Sequence, residues 1–215
     1  MDLLNLLAGG AAVTAKIALA AAIVALVLAV PLGLGRISGW RAIRVPCVVY
    51  IEFFRGTSIF VQLFWIYFVL PLLGFELSPL QAGVLALGLN VGAYGAEVVR
   101  GGIQSVGREQ HEACVALNLT RFQSLRHVIL PQALLVMLPT FGNNAIELLK
   151  ATSVVSLISL VDLTFQANVV RAQTGNTAIP FLTILVIYFA LAMAISVGMR
   201  RLERHLTRGL DGMRS

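Results

Sequence analysis

Apolar positions fall into five long runs, at 17–34, 60–73 with its flanks, 80–99, 133–149 and 179–199. Each reaches or approaches the roughly 20 residues that a helix needs to cross a hydrocarbon layer. The pattern changes between the third and fourth runs. Over 108–117, Ala113, Val115, Ala116 and Leu117 alternate with Arg108, Glu109, His111 and Glu112 at helical spacing. Asn118 interrupts, and Asn tolerates the left-handed conformation that ends helices. Thr120-Arg-Phe-Gln123 then has the form of a capping box, in which the Thr oxygen and the Gln side chain satisfy backbone groups reciprocally. Phe122, Leu125, Val128 and Ile129 form one apolar stripe, with Arg121 and Arg126 away from it. Leu130-Pro131 closes the unit, because proline disfavours helix in the residue before it, and a turn into the fourth run is expected there. The spacing thus predicts a helix–turn–helix between two spans. Connections between helices typically need only about 2–8 residues and no capping. This segment is either a shield for span ends or a docking surface.

Elsewhere the pattern predicts a surface helix over 1–15, a turn over 35–49, and a helix start at Ser78-Pro79. Residues 151–178 are less regular and contain Asp162, which is costly in lipid. A short re-entrant or outer-face segment fits them better than a full span.

Composition strengthens the membrane reading. Of 215 residues, 58% are hydrophobic and 12% charged, against about 25% charged in soluble domains. The expectation is one all-α membrane domain over 1–215, with five transmembrane helices. The first run is not read as a signal peptide: Asp2 replaces a basic start, no small-residue cleavage site follows, and Arg36, Arg41 and Arg44 come next. The net charge of +6 lies beside the spans, which argues against nucleic acid. Arg36, Arg41 and Arg44 follow the first run; Arg100, Arg108, Arg121 and Arg126 the third; Arg200, Arg201, Arg204, Arg208 and Arg214 the fifth. The intervening loops hold only Arg171. Basic residues favour the cytoplasm, so five spans put the N-terminus outside and the C-terminus inside, whereas six would place the Arg-rich tail outside. Lys16 can snorkel to the interface. Cys47 and Cys114 fall on the predicted cytoplasmic side, where disulfides are rare, and are expected to be packing residues.

Candidate chemistry lies in polar groups at membrane depth. The fourth run holds Pro139, Gly142, Asn143, Asn144, Glu147 and Lys150. Polar groups there are tolerated against protein or a water-filled cavity. Glu147 and Lys150 are three apart and share a helix face. They can form an internal ion pair, bind a zwitterionic solute or take part in gating. Asn90 and Tyr94 in the third run are one turn apart and can face the same cavity. Two short patterns, Glu52-Phe-Phe-Arg55 and Glu97-Val-Val-Arg100, place opposite charges at pairing distance. Interface anchoring and gating both remain open for them.

The segment 108–131 resembles the "EAA" signature of ATP-binding-cassette (ABC) importer permeases: Glu-Ala-Ala, three residues, Gly, nine residues, Ile, any residue, Leu-Pro. Here it stands as Glu112-Ala113-Cys114, Asn118 and Val128-Ile129-Leu130-Pro131. Cys replaces Ala, Asn replaces Gly, and Val replaces Ile. "YIEFFRGTSIFVQLFWIYFVLP", "GAYGAEVVRGGIQSV" and "LLKATSVVSLISLVDL" are similar to the polar amino-acid branch of that family, so the likeness covers roughly residues 45–170. "ALNLT", "IELLKATS" and "DLTFQA" look closest to ectoine/hydroxyectoine permeases; the alternative is an ordinary polar amino acid.

The resemblance implies a type I (MetI-like) permease fold in a bacterial inner membrane. It implies a cytoplasmic ABC ATPase dimer, a second permease subunit, an extracytoplasmic solute-binding protein and a small polar solute as partners. By analogy Glu112 contacts the ATPase, Ala113 and Cys114 pack closely, Asn118 sets the turn, and Leu130 and Pro131 close the coupling segment. Amino-acid permeases often read Lys-Asp-Thr-Ser where this chain has Lys150-Ala151-Thr152-Ser153, which counts against a cationic solute. The chain has no match to G-x-x-x-x-G-K-[ST], no HExxH and no nucleophile–base pair. It is expected to be non-catalytic and to need no cofactor or metal, with ATP hydrolysis on a partner. A stand-alone ion-coupled carrier and a membrane scaffold are the other readings; carriers often show inverted repeats, and none is visible.

Overall fold

Eight helices account for most of residues 3–211, the part of the chain described by this computed structural model. They are α1 (Leu3–Arg36), α2 (Arg41–Gly56), α3 (Ile59–Leu73), α4 (Pro79–Gln104), α5 (Arg108–Ala116), α6 (Arg121–Ile158), α7 (Leu163–Thr174) and α8 (Ala178–Asp211). Asp2, Arg214 and the side chain of Arg208, used above for topology, lie outside the described residues.

Four helices, α1, α4, α6 and α8, are each long and apolar enough to cross a membrane. The fifth span is a bent pair: α2 and α3 meet at 104° across a two-residue break. The expected turn over 35–49 is therefore shorter, and α2 already begins at Arg41. Residues 3–15 are not a separate surface helix either. They continue into α1 because nothing in the sequence stops the helix, and one end of the bundle needs them. Gly10 lets the backbone of α7 approach: a Cβ there would lie 2.9 Å from Leu163 Cα.

The α1–α4 pair is the spine. Both helices run in the same direction, and small residues bring their backbones together. A Cβ on Gly88 would sit 2.6 Å from Val24 Cγ1, and one on Gly33 would sit 2.7 Å from the Ala96 carbonyl. Three buried clusters stack along this spine. Ala29, Val99, Ile103, Ile129, Ala133 and Met137 form one at the arginine-rich end. Ile17, Leu63, Ala86, Leu87, Leu148 and Val155 belong to the central one. Leu7, Leu163, Ala167 and Ile184 close the opposite end.

Capping follows the sequence closely. Ser78 and Gln81 form a reciprocal box at the start of α4, and Thr120 and Gln123 form one at α6. Asn118 has φ 53, the left-handed turn residue between α5 and α6. The expected turn at Leu130-Pro131 does not occur. A wide π turn over Leu125–Ile129 carries the Leu130 N–H to the Leu125 carbonyl. Pro131 then falls in the first turn of the following α segment, where its missing N–H is tolerated. The helix also continues through Pro139. The last seven residues of α6, Thr152–Ile158, wind as 3₁₀ helix, and a short connection leads to the twelve-residue α7, which is too short to be a span.

Candidate functional site

The break in the second span creates the first feature of the site. Bending α2 against α3 leaves carbonyls of the last turn of α2 without helical partners. Two side chains supply donors. Gln62 Nε2 donates to the Phe54 carbonyl at 2.9 Å, to the Thr57 carbonyl at 3.2 Å and to Thr57 Oγ1 at 2.7 Å. Asn90 Nδ2, from α4, donates to the same Phe54 carbonyl at 2.8 Å and to Gln62 Oε1 at 3.1 Å. Both amides are buried. The site search from sequence missed Gln62; a lone amide inside an apolar run is the signal that marks it. Asn90 is thus committed to the break through its amide nitrogen, and only its oxygen is left for a solute.

Beside this clamp lies a cavity of about 180 Å³, lined by Ile59, Leu87, Asn90, Val91, Tyr94, Asn144, Glu147 and Ala151. Four of the six predicted pathway residues meet there: Asn90, Tyr94, Asn144 and Glu147. Asn143 and Lys150 do not line it, and both are exposed. Among the described residues Glu147 and Lys150 form no ion pair, so of the three readings their spacing allowed the internal pair is absent; spacing alone does not fix rotamers on an exposed face. Asn144 Nδ2 is buried and has no hydrogen-bond partner. Asn144 also lines a second cavity of about 380 Å³ with Tyr94, Glu97 and Thr140. A third, of about 330 Å³, is almost wholly apolar.

At the arginine-rich end, five charges from three helices meet. Arg36 contacts Glu52 at 2.9 Å and Glu97 at 3.0 Å. The second contact joins Arg36 Nη1 and Glu97 Oε1 without hydrogen-bond alignment, so it is a contact of charge. Arg100 grips Glu97 Oε2 with Nε at 3.0 Å and Nη2 at 2.9 Å. Arg55 lies 3.8 Å from Glu97. The expected Glu97–Arg100 pair forms. The expected Glu52–Arg55 pair does not, because packing of α1 against α2 and α4 offers Arg36 to Glu52 instead.

The segment 108–131 presents a divided face. Cys114 and Ile129 are buried, and Leu125, Val128, Leu130 and Pro131 are half-buried. Glu112 is exposed, as are Val115 at 77%, Leu117 at 72% and Phe122 at 68%; Ala113, expected to pack closely, is exposed too, and within the chain only Cys114 of that pair is buried. Phe122 therefore departs from its expected stripe; the turn at Asn118 tips the first residues of α6 away from the bundle. Glu112 pairs with Arg108 at 3.3 Å across one exposed turn. Cys47 is half-buried, and its Sγ lies against Gly35, as a packing residue would.

Asp162, expected to be costly in lipid, caps α7. It is fully buried, and Oδ1 accepts the Phe165 N–H at 2.8 Å. Burial raises its carboxyl above the usual carboxylate range. The next residue ties α7 to α1, with Leu163 N donating to Thr14 Oγ1 at 3.1 Å.

Residues 25–208 match the model of the family described as binding-protein-dependent transport system inner membrane component. The chain belongs to that family. As an ABC importer permease it is a non-catalytic, multi-pass inner-membrane subunit, whose ATPase is a separate protein. It is 45% identical over 213 residues to a probable amino-acid ABC transporter permease protein, y4tF, of Sinorhizobium fredii, covering 96% of this chain and 90% of the relative. It is 36% identical to a putative glutamine transport system permease protein, GlnP, of Rickettsia bellii, covering 92% and 91%. A chain in the crystal structure of an amino acid ABC transporter with histidines superposes with TM-score 0.87 and 34% identity, over 95% of this permease and 99% of that chain. The permease is thus one of an amino-acid ABC importer, and both the fold and the family expected from the sequence are met.

Proposed function

We propose that this permease carries a neutral polar amino acid inward through the cavity of Asn90, Tyr94, Asn144 and Glu147. The observation that carries this reading is a complementary pair of groups in one small cavity. Asn144 has a buried amide donor with nothing to bond, and Glu147 offers a carboxylate. A zwitterion brings a carboxylate for the first and an ammonium for the second. Ala151 stands in the wall, at the position where related amino-acid permeases often carry a further acidic group, so the site lacks a second anion for a cationic side chain. The ectoine reading finds no support among the relatives, and the ordinary amino-acid alternative is the better one; the rickettsial relative is described as a glutamine permease.

The same proposal assigns residues 1–215 to one permease domain with its N-terminus outside and its arginine-rich end in the cytoplasm. Residues 108–131 form the coupling segment, with Glu112 and Ala113 beside the exposed Val115, Leu117 and Phe122 as the ATPase-facing surface and Cys114, Asn118, Leu130 and Pro131 fixing its shape. Two permease subunits enclose the pathway, a solute-binding protein delivers the amino acid from outside, and closure of an ATPase dimer rocks the spans through this segment.

The test is titration of the purified solute-binding partner with L-glutamine, other neutral polar amino acids, L-arginine and ectoine, followed by ATP-driven uptake in liposomes. A neutral amino acid should bind. Glu147→Gln should lower its uptake about tenfold, the equivalent of one charge-assisted contact, with the binding protein's affinity unchanged. Ectoine as the only ligand, or full uptake by Glu147→Gln, would overturn the assignment. Glu112→Ala should uncouple solute-stimulated ATP hydrolysis from uptake; unchanged coupling would remove the role given to residues 108–131.

A further inference from the structure

The charge cluster at the cytoplasmic end has one cation too many. Arg36, Arg55 and Arg100 face two acids, Glu52 and Glu97. Both oxygens of Glu97 are already held within 3.0 Å, one by Arg36 and one by Arg100. Arg55 is the loosest member, at 3.8 Å, and its guanidinium rests instead over the Tyr94 ring, 5.4 Å from the centroid. Tyr94 lines two cavities: the one assigned above to the solute, and the larger one of about 380 Å³ toward the cytoplasmic end. Asn144 is the other shared wall. The larger cavity is of a size that holds small molecules, typically about 300–1,000 Å³.

We propose that this larger cavity is an exit subsite, in which Arg55 takes the carboxylate of the departing amino acid after the Tyr94 ring moves aside. The inference rests on the proposed amino-acid pathway and adds a second station to it. A carboxylate leaving the Asn144 amide enters a cavity whose wall holds the Glu97 carboxylate and no cation, so without a counter-charge from beside it the move is costly at membrane depth. A surplus guanidinium one side chain away receives it, in the planar two-pronged geometry that suits a carboxylate. Arg100, whose Nε and Nη2 both donate to Glu97 Oε2, cannot do this without breaking its own pair.

The experiment uses the whole importer complex in nanodiscs, without nucleotide, and two probes: L-glutamine and its α-amide, which keeps the ammonium and lacks the carboxylate. Arg55→Ala should weaken L-glutamine binding about tenfold, leave α-amide binding unchanged, and be restored only in part by Arg55→Lys, which returns the charge without the planar fork. Equal weakening of both probes would make Arg55 a structural residue and overturn the inference. So would unchanged glutamine binding, or an effect that follows the anionic lipid content of the nanodisc, which would mark Arg55 as a headgroup anchor. A cysteine probe covers the case in which Arg55→Ala fails to assemble. Gly101 lines the larger cavity, and a Cβ there meets nothing within 4 Å. In a Cys47→Ser background, L-glutamine should protect Gly101→Cys from a thiol reagent and the α-amide should not; equal protection or none overturns the subsite. If the wild-type complex neither binds nor transports L-glutamine but handles another neutral amino acid, the same measurements apply to that amino acid and its amide. If it handles no amino acid, the pathway reading falls first and this subsite with it.

Discussion

Replacing Gln62 by Leu tests whether the break between α2 and α3 is held by side-chain amides. The change keeps most of the volume and removes four hydrogen bonds, one accepted from Asn90 and three donated to the last turn of α2. The Phe54 carbonyl keeps its bond from Asn90, so the main loss is one Asn90 N–H left unpaired in a buried place. An unsatisfied buried polar group costs about 1–3 kcal/mol. For a chain of this size each kcal/mol moves the melting temperature by about 2–4 °C, so a drop of about 2–12 °C is expected. The assay is thermal melting of the detergent-solubilised complex, followed by the fluorescence of Trp40 and Trp65, both partly exposed. Asn90→Leu should cost a similar amount by stranding Gln62 Oε1. The double variant strands neither amide but leaves the Phe54 carbonyl without either donor, so its cost should differ from the sum of the two; coupling within one network is about 0.5–3 kcal/mol. Strict additivity would show that the two amides do not act as one clamp, and the account of the broken span would fail.

Two further outcomes follow from burial and close approach. Gly88→Ala should destabilise the protein by about 1–3 kcal/mol, as overpacking typically does, and so lower its melting temperature, because its new methyl meets Val24, and Val24→Ala in the same chain should restore most of the loss; an unaffected Gly88→Ala protein would contradict the tight α1–α4 contact. Asp162→Ala should remove the α7 cap at about 0.5–2 kcal/mol, whereas Asp162→Asn keeps it. Because burial raises the Asp162 carboxyl, the folded protein holds that proton more tightly than the unfolded chain. Its contribution is complete below the ordinary value of 3.8 and is lost as pH rises through the raised value. Melting curves of Asp162→Asn should therefore lose part of the decline in stability with rising pH, and parallel pH profiles for the two proteins would refute this.

The sequence by itself determined what depends on neighbouring residues. Run lengths set the number of spans. The boxes Ser78–Gln81 and Thr120–Gln123 and the left-handed Asn118 could be read directly, because capping and turn chemistry act over three or four positions. The signature around Glu112 could be read for the same reason, and so could the meeting of Asn90 with Tyr94 and of Asn144 with Glu147, each pair being about one helical turn apart. Tertiary structure decided the pairings between distant residues. Nothing local tells Glu52 to choose Arg36 over Arg55, three positions away. That choice follows from the glycines and alanines that let α1 and α4 approach, which fixes where the end of α1 arrives. At the break at 57–58, Gln62 supplies donors from nearby in the chain, while the second donor to the Phe54 carbonyl, Asn90, comes from distant α4. Proline at 131 was misleading in isolation, since a wide turn just before it absorbs the disruption and lets the helix run on. Local chemistry thus wrote the helices and their ends, and the depth of small-residue packing between α1 and α4 selected which polar side chains meet.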